Sequence, residues 1–300
     1  MISVGIDTSN YTTSYAVCED GIIVENIKLP LPVKEGSHGL RQSDAVFAHI
    51  KNTPALSDMI KSAVPDIISY SSRPRPLEGS YMPCFRVGES LARFASAQYG
   101  IKYKSFSNQE GHLRAALYSS GREDLTGGEY LAIHLSGGTT ELLHVHNGKI
   151  EIIGGTLDLT AGQAIDRIAA KLGCGFPGGP ELEKIAKPYK VKPAVSVKDT
   201  YCNISGLENT AAKMQEELRP DSETAYYTLE FIKLSIAGIL SNALKKYPGL
   251  DVICAGGVMS NNIIRSYLED NFPCFFAKPE FSSDNAAGIA LLGYDYIKAK

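Results

Sequence analysis

One three-strand pattern occurs twice in this 300-residue chain. The first copy is apolar from Ile2 to Val17 around a polar turn at Asp7-Thr8-Ser9, turns again at Glu19-Asp20-Gly21, and continues from Ile22 to Lys28. The second runs from Tyr130 to Val145 around Ser136-Gly137-Gly138-Thr139-Thr140, turns at Asn147-Gly148, and continues from Lys149 to Ile153. Each reads as strand, polar turn, strand, glycine turn, strand. Ser136 minus Ser9 is 127, and Thr12/Thr139, Thr13/Thr140 and Gly21/Gly148 keep the same offset. The chain therefore reads as an internal duplication with two similar sheets to bury, and its length suits two domains. The polar, glycine-bearing stretch from Gly121 to Gly128 is the natural boundary. It gives a first lobe of 1–122 and a second of 123–283, with the helix at about 284–300 packing back on the first.

The two polar turns carry the chemistry. A buried strand ending in hydroxyls and unpaired backbone N–H groups suits phosphate oxygens. A single such turn is equally well an ordinary Ser/Thr-rich hairpin, but two at matched positions favour the anion site. There are 28 glycines, above the usual ~7%, and three of the glycine pairs in the second lobe stand at candidate nucleotide contacts: Gly137-Gly138, Gly178-Gly179 and Gly256-Gly257. The last pair follows the apolar run Leu250 to Ala255 and precedes a helix-like stretch, Ile263 to Asp270, an arrangement in which a nucleotide lies against backbone and a helix N-terminus. Gly178-Gly179 follows the amphipathic stretch Ala161 to Leu172. The Gly256-Gly257 turn is not GxGxxG, and no P-loop sequence occurs. Further helices are expected over Asp44 to Ala63 with a break at Pro54, Val87 to Tyr99, Glu110 to Tyr118, Thr224 to Lys246, and Asp284 to Lys298 with Ser282-Ser283-Asp284 as caps.

Other signals exclude. The net charge of −3 offers no basic footprint for nucleic acid. No basic segment leads a hydrophobic one at the N-terminus, and the longest uncharged run, Val252 to Ile264, is too short to span a bilayer. A cytoplasmic protein without a membrane partner is expected. The six cysteines never come closer than 20 positions, and no CxxC occurs, so reduced thiols are expected.

Several strings resemble, in order, those of the TsaD family, also called Gcp or M22 glycoprotease-like: Gly5-Ile-Asp-Thr-Ser9, Glu110-Gly-His112, Ser136-Gly-Gly-Thr-Thr140, Thr156 to Asp166, Gly175-Phe-Pro-Gly-Gly-Pro180, Ser205-Gly-Leu207, Ala255-Gly-Gly-Val258 with Asn261, and Ser283-Asp-Asn-Ala-Ala287. The resemblance implies an α/β, two-lobed actin/hexokinase/Hsp70-like (ASKHA) fold with a duplicated sheet core and a nucleotide cleft between the lobes. It implies a transferase using ATP or an adenylate to place threonylcarbamoyl on adenosine 37 of tRNA. The implied nucleotide contacts are Asp7, Ser9, Ser136, Gly137, Gly138, Thr139, Thr140, Asp166, Gly179, Glu183 and Asn261. Asp166 and Glu183 fall on ribose-side positions and Asn261 on an adenine-side one, although Asn261 reads equally well as a helix cap.

The chain also departs from the family pattern. Where the family has His-x-Glu-Gly-His, Asn108 replaces the first histidine, leaving His112 and Asp284 as the metal ligands implied by the resemblance. Amide and carboxylate oxygens suit magnesium better than iron or zinc, so a divalent metal, if bound, is expected to be magnesium. Thr139 stands for a histidine and Glu208 for a lysine. The loop from Ser71 to Pro83 offers Arg73 and Arg75 as anion contacts, with Tyr81 beside them; Arg41 and His49 are weaker candidates for the cleft. The acidic balance does not favour the implied tRNA acceptor. Two alternatives stay open: a paralogue acting on a non-tRNA acceptor, and a non-catalytic nucleotide-binding partner that pairs with another protein through first-lobe helices. A sugar kinase lacks its second-lobe Asp here, and a protease lacks His-Glu-x-x-His.

Overall fold

The computed structural model describes residues 1–9, 11–33, 40–61, 64–283 and 286–300. The chain divides into two compact units, Met1–Gly121 with Glu280–Lys300, and Arg122–Pro279. The first contains β1 (Ile2–Asp7), β2 (Thr12–Glu19), β3 (Ile22–Pro30), α1 (Gln42–Met59), β4 (Ile67–Arg73), α2 (Phe85–Tyr99), β5 (Lys102–Ser107) and α3 (Asn108–Ser120). The second contains β6 (Glu129–Leu135), β7 (Thr140–His146), β8 (Lys149–Thr156), α4 (Ala161–Lys171), α5 (Gly178–Ile185), β9 (Ser196–Lys198), β10 (Tyr201–Asn203), α6 (Gly206–Glu216), α7 (Asp221–Lys246), β11 (Val252–Ala255), α8 (Asn262–Asn271) and β12 (Cys274–Phe276). The short α9 (Pro279–Ser282) leads back to the first unit, which α10 (Ala287–Lys298) completes.

The duplication extends to topology. The first sheet has the order β3-β2-β1-β4-β5, and five strands of the second repeat it as β8-β7-β6-β11-β12, with β10 and β9 added at one edge. In both, a hairpin pair is antiparallel (β1/β2, β6/β7) while the next two pairings are parallel (β1/β4 and β4/β5; β6/β11 and β11/β12). Both second turns are two-residue hairpins with left-handed residues, Asp20-Gly21 (φ 48 and 87) and Asn147-Gly148 (φ 50 and 74). Asp-Gly and Asn-Gly favour this type I′ geometry, whose twist matches the flanking strands.

Strand alternation sets how the helices pack. Val4 and Ile6 of β1 and Tyr15 and Val17 of β2 face a core that includes Leu56 of α1 and Ala92 of α2. The opposite face carries Ala16 and Cys18 against Ala286, Ala290 and Leu291. A side chain at Gly5 would meet Ala290 N at 2.6 Å, and one at Gly293 would strike Ser3 and Ser69. Small residues on this face let α10 lie directly on β1 and β4. In the second unit α4 and α7 cover the core, with Ile165, Ile168, Leu229, Ile232 and Ile236 packed against Leu131, Ile133 and Leu142.

α1 runs through Pro54 without the expected break. Proline leaves the Ile50 carbonyl without its helical donor, and Thr53 Oγ1 supplies one at 2.7 Å. The helix ends at Met59, short of Ala63, which lies outside the described residues. All six cysteines are free thiols. No helix among the described residues is long and apolar enough to cross a membrane.

Candidate functional site

In the first unit, the turn after β1 is organised around a buried carboxylate. Asp7 accepts from Ser9 N at 3.2 Å, from Ser9 Oγ at 2.6 Å and from Ser71 Oγ of β4. Thr8 Oγ1 donates to the Cys84 carbonyl at 2.9 Å and accepts from Gly88 N at 3.0 Å, which fastens the turn to the start of α2. The polar run Asp7-Thr8-Ser9 is visible in the sequence, but the anchoring of Thr8 and the Ser71 contact to Asp7 are not. His49 is fully buried with Nδ1 2.8 Å from Thr13 Oγ1. Arg41 occupies the N-cap position of α1 without a side-chain cap hydrogen bond and is exposed; Arg73 is exposed at the end of β4, and Arg75 is half-buried with its backbone N–H donating to Ser80 Oγ at 3.0 Å. Tyr81 lies under the Arg86 guanidinium, 5.5 Å from its carbon.

The Glu110-Gly111-His112 string resolves into three roles. Glu110 completes a capping box: its N–H donates to Ser107 Oγ at 3.2 Å and its carboxylate accepts from Ser107 N at 2.6 Å. A side chain at Gly111 would meet Ile289 Cδ1 at 2.8 Å, so the glycine is needed for α3 to cross α10. His112 remains, buried, one turn after Asn108 at the start of α3. Residues four apart are neighbours on a helix, so an amide and an imidazole share one face. Asp284 lies outside the described residues. Among the described residues no group of three or more His, Cys, Asp or Glu could hold a metal ion.

In the second unit, the Ser136 to Thr140 turn sits on the N-terminus of α4. Ser136 N donates to the Thr139 carbonyl at 2.8 Å and closes the turn. Thr140 Oγ1 accepts from Ala161 N at 2.8 Å, and Thr160 Oγ1 donates to the Gly137 carbonyl at 2.9 Å. A side chain at Gly162 would lie 2.5 Å from the Ser136 carbonyl, so helix and turn are in direct backbone contact. Side chains at Gly137 or Gly138 would meet nothing within 4 Å. The first turn of α4 holds no acidic residue, and a helix N-terminus favours negative charge. The arrangement is chemically that of an anion-binding turn.

The other glycine pairs split by role. Gly178 packs against Ala169 Cβ, and its N–H donates to Asp166 Oδ1 at 2.8 Å, whereas Gly179 is open, its nearest neighbour being Ile165 at 3.9 Å. Gly256, at φ 94, lies against the Leu135 carbonyl, whereas Gly257 is open. Gly256 is thus explained by sheet packing. Glu183 and Asn261 hold each other: Asn261 Nδ2 donates to Glu183 Oε2 at 2.9 Å, while Asn262 N and Nδ2 donate to Oε1 at 2.9 and 2.7 Å. Asn261 also caps α8, accepting from Ile263 N and Ile264 N at 3.1 and 3.2 Å. Glu208 pairs with Arg167 at 3.2 Å.

Sequence reasoning missed Asp158. Its carboxylate accepts from Leu159 N (2.6 Å), Asn203 Nδ2 (3.2 Å), Ile204 N (2.8 Å), Ser205 N (3.2 Å) and Ser205 Oγ (2.6 Å). Partial burial alone would raise its pKa; the hydrogen bonds from Ser205, Ile204, Leu159 and Asn203 outweigh this and hold the carboxyl well below the usual carboxylate range. Asp158 ties the approach to α6 onto the segment that starts α4. A carboxylate two residues before Thr160 was the only local signal.

The strand order and its repetition define an α/β protein of the ASKHA class. Full-length HypF, solved in a phosphate- and nucleotide-bound form, has the same fold with a TM-score of 0.65 at 10% identity, over 99% of this chain and 47% of HypF, so the chain spans about half of that protein. A ROK family glucokinase from Streptomyces griseus matches with a TM-score of 0.53 at 10% identity, over 98% of this chain and 100% of the kinase. Within the class, the model of the TsaD family, tRNA N6-adenosine threonylcarbamoyltransferase, matches residues 60–291, and the chain belongs to that family. The tRNA N6-adenosine threonylcarbamoyltransferase of Thermosipho africanus (strain TCF52B) is 30% identical over 324 residues, covering 99% of this chain and 95% of its own.

Proposed function

We propose that this protein binds an adenine nucleotide and transfers threonylcarbamoyl from an adenylate to adenosine 37 of tRNA. The observation that carries the reading is the open Ser136-Gly137-Gly138 turn against the N-terminus of α4, in a chain of the TsaD family. In this reading the turn receives phosphate through Gly137 and Gly138 N–H groups and the Thr139 hydroxyl; in the first unit Asp7 holds the Ser9 hydroxyl. Asp166 and Glu183 accept from the ribose hydroxyls, Gly179 allows close approach, and Asn261 holds Glu183 in place on the adenine side. Arg73 and Arg75 are candidates for the developing negative charge. If a divalent cation takes part, Asn108 and His112 would hold it in the first unit, and it would supply charge neutralisation. The acceptor N6 forms a bond to the carbamoyl carbon, the bond from that carbon to the phosphate oxygen breaks, AMP leaves with the electron pair, and the amine proton passes to solvent.

The test supplies threonylcarbamoyl-adenylate and an unmodified tRNA transcript and quantifies modified adenosine by mass spectrometry. Transfer is expected, with at least a tenfold loss in Asp166→Ala. Retained ATP binding with no transfer to tRNA would move the acceptor elsewhere. That second reading, transfer to a non-tRNA acceptor, is favoured specifically by Asn108 and Glu208, where the family pattern has a histidine and a lysine. A non-catalytic partner role would leave nucleotide binding without turnover on any acceptor.

A further inference from the structure

The chain's acidic balance hides one strongly basic segment. Between positions 184 and 198 there are five lysines and no acidic residue. Lys198 lies on β9 at the sheet edge, where lysine is a common guard against strand pairing, so it needs no further explanation. Lys184, Lys187, Lys190 and Lys192 are all exposed. Among the described residues none of these four has an ion-pair partner, although Arg219, Lys213, Lys233, Lys246 and Arg265 all do.

The strap that carries them is anchored from behind. Lys187 N donates to the Ser222 carbonyl at 3.2 Å. The Tyr189 ring lies 5.8 Å from Tyr226 of α7 and beneath the Arg219 guanidinium at 5.6 Å. Pro193 is buried, Val195 joins the core, and Val197 packs against Gly238 at 2.9 Å from where a side chain would begin. Acidic neighbours are largely engaged: Glu223 accepts from Arg219 at 2.8 Å and Glu183 from Asn261 and Asn262, leaving Asp221 and Glu181. Apolar and aromatic groups hold the backbone down while the ammonium groups project unpaired. Unpaired lysines add little to stability, and a fixed backbone removes the backbone part of the ordering cost of neutralising a row of anions.

We propose that the Lys187–Lys192 strap is a docking surface for the phosphodiester backbone of RNA. The proposal rests on the reading of tRNA as acceptor. It assigns the positive charge that the whole-chain balance lacks to one face of the second unit, beginning two residues past the end of α5, the helix that carries Glu183. Lysine ammonium groups on phosphate position an RNA without reading its sequence.

The experiment measures binding of an unmodified tRNA transcript by fluorescence anisotropy across a salt series, for the full chain and for the triple variant Lys187→Gln, Lys190→Gln, Lys192→Gln. Lys184 stays, because it shares α5 with Glu183. Losing three phosphate contacts lowers the slope of log affinity against log salt by about 2 to 2.7. Between 50 and 200 mM salt, the parent's affinity should therefore fall about 20–40-fold more than the variant's. ATP affinity, by calorimetry, should not move. Equal slopes with intact tRNA binding would overturn the docking surface and leave the acceptor reading standing. Absence of tRNA binding by the parent, with ATP binding intact, would overturn both. Unchanged slopes on tRNA with lysine-dependent binding to phosphatidylserine vesicles would overturn it in favour of a lipid surface.

Discussion

Replacing Asp158 with asparagine changes almost no volume, so its effect isolates the charge and its acceptor capacity. If the retained oxygen keeps the Leu159 and Ile204 N–H groups, Ser205 N and Asn203 Nδ2 lose their acceptor and Ser205 Oγ must turn. The site is solvent-exposed, so water replaces part of the loss; two donors at about 1 kcal/mol each give about 2 kcal/mol. That corresponds to about a 30-fold loss of protection, read by hydrogen-exchange mass spectrometry on peptides spanning 203 to 210. The pH dependence has a definite sign. A carboxyl held low in the folded state stabilises above its unfolded value of about 3.9, and this contribution is lost as pH falls through the lower folded value. The parent should thus lose protection below about pH 4 more steeply than Asp158→Asn. A protection change under about threefold at pH 7, or parallel acid profiles, would refute the assignment of Asp158 as the tie between α6 and the start of α4.

Two further outcomes separate packing from ligand access. Gly178→Ala should cost about 1–3 kcal/mol in thermal melting, because its methyl meets Ala169 Cβ; Gly179→Ala, in open space, should leave the melting temperature within about a degree while weakening ATP binding, and equal melting losses would defeat the distinction. Asn261→Ala removes the α8 cap and the Glu183 contact and should cost about 1–2 kcal/mol; a melt unchanged from the parent would show that the cap is redundant.

The duplication was legible because both hairpins announce themselves locally: alternating apolar strands joined by Asp-Gly and Asn-Gly. The apolar run Leu250 to Ala255 also marks β11, but strands with neither signal stay hidden. β5 reads Lys-Tyr-Lys-Ser-Phe-Ser and lies at the sheet edge with little burial, so no apolar period marks it. β4 is interrupted by serines whose reasons are distant in sequence: Ser69 makes room beside Gly293, and Ser71 holds Asp7. The continuity of α1 through Pro54 depends on one hydroxyl bond from Thr53. The site strings were recognisable as strings, but not their division of labour. Nothing local says that Glu110 caps, that Gly178 packs while Gly179 is open, or that Glu183 and Asn261 face each other across 78 positions.

The close seat of α10 on β1 and β4 has a consequence for biosynthesis. The second unit is one continuous stretch, Arg122–Pro279, and has all its strands once that stretch has emerged from the ribosome. The first unit has its five strands long before but lacks the helix that covers one face of them until Ala287–Lys298 follows. Ala16, Cys18 and Gly5 stay uncovered throughout synthesis of the other unit. The half made first is therefore the half finished last, and a nascent chain stalled before residue 287 presents an apolar sheet face of the kind chaperones bind.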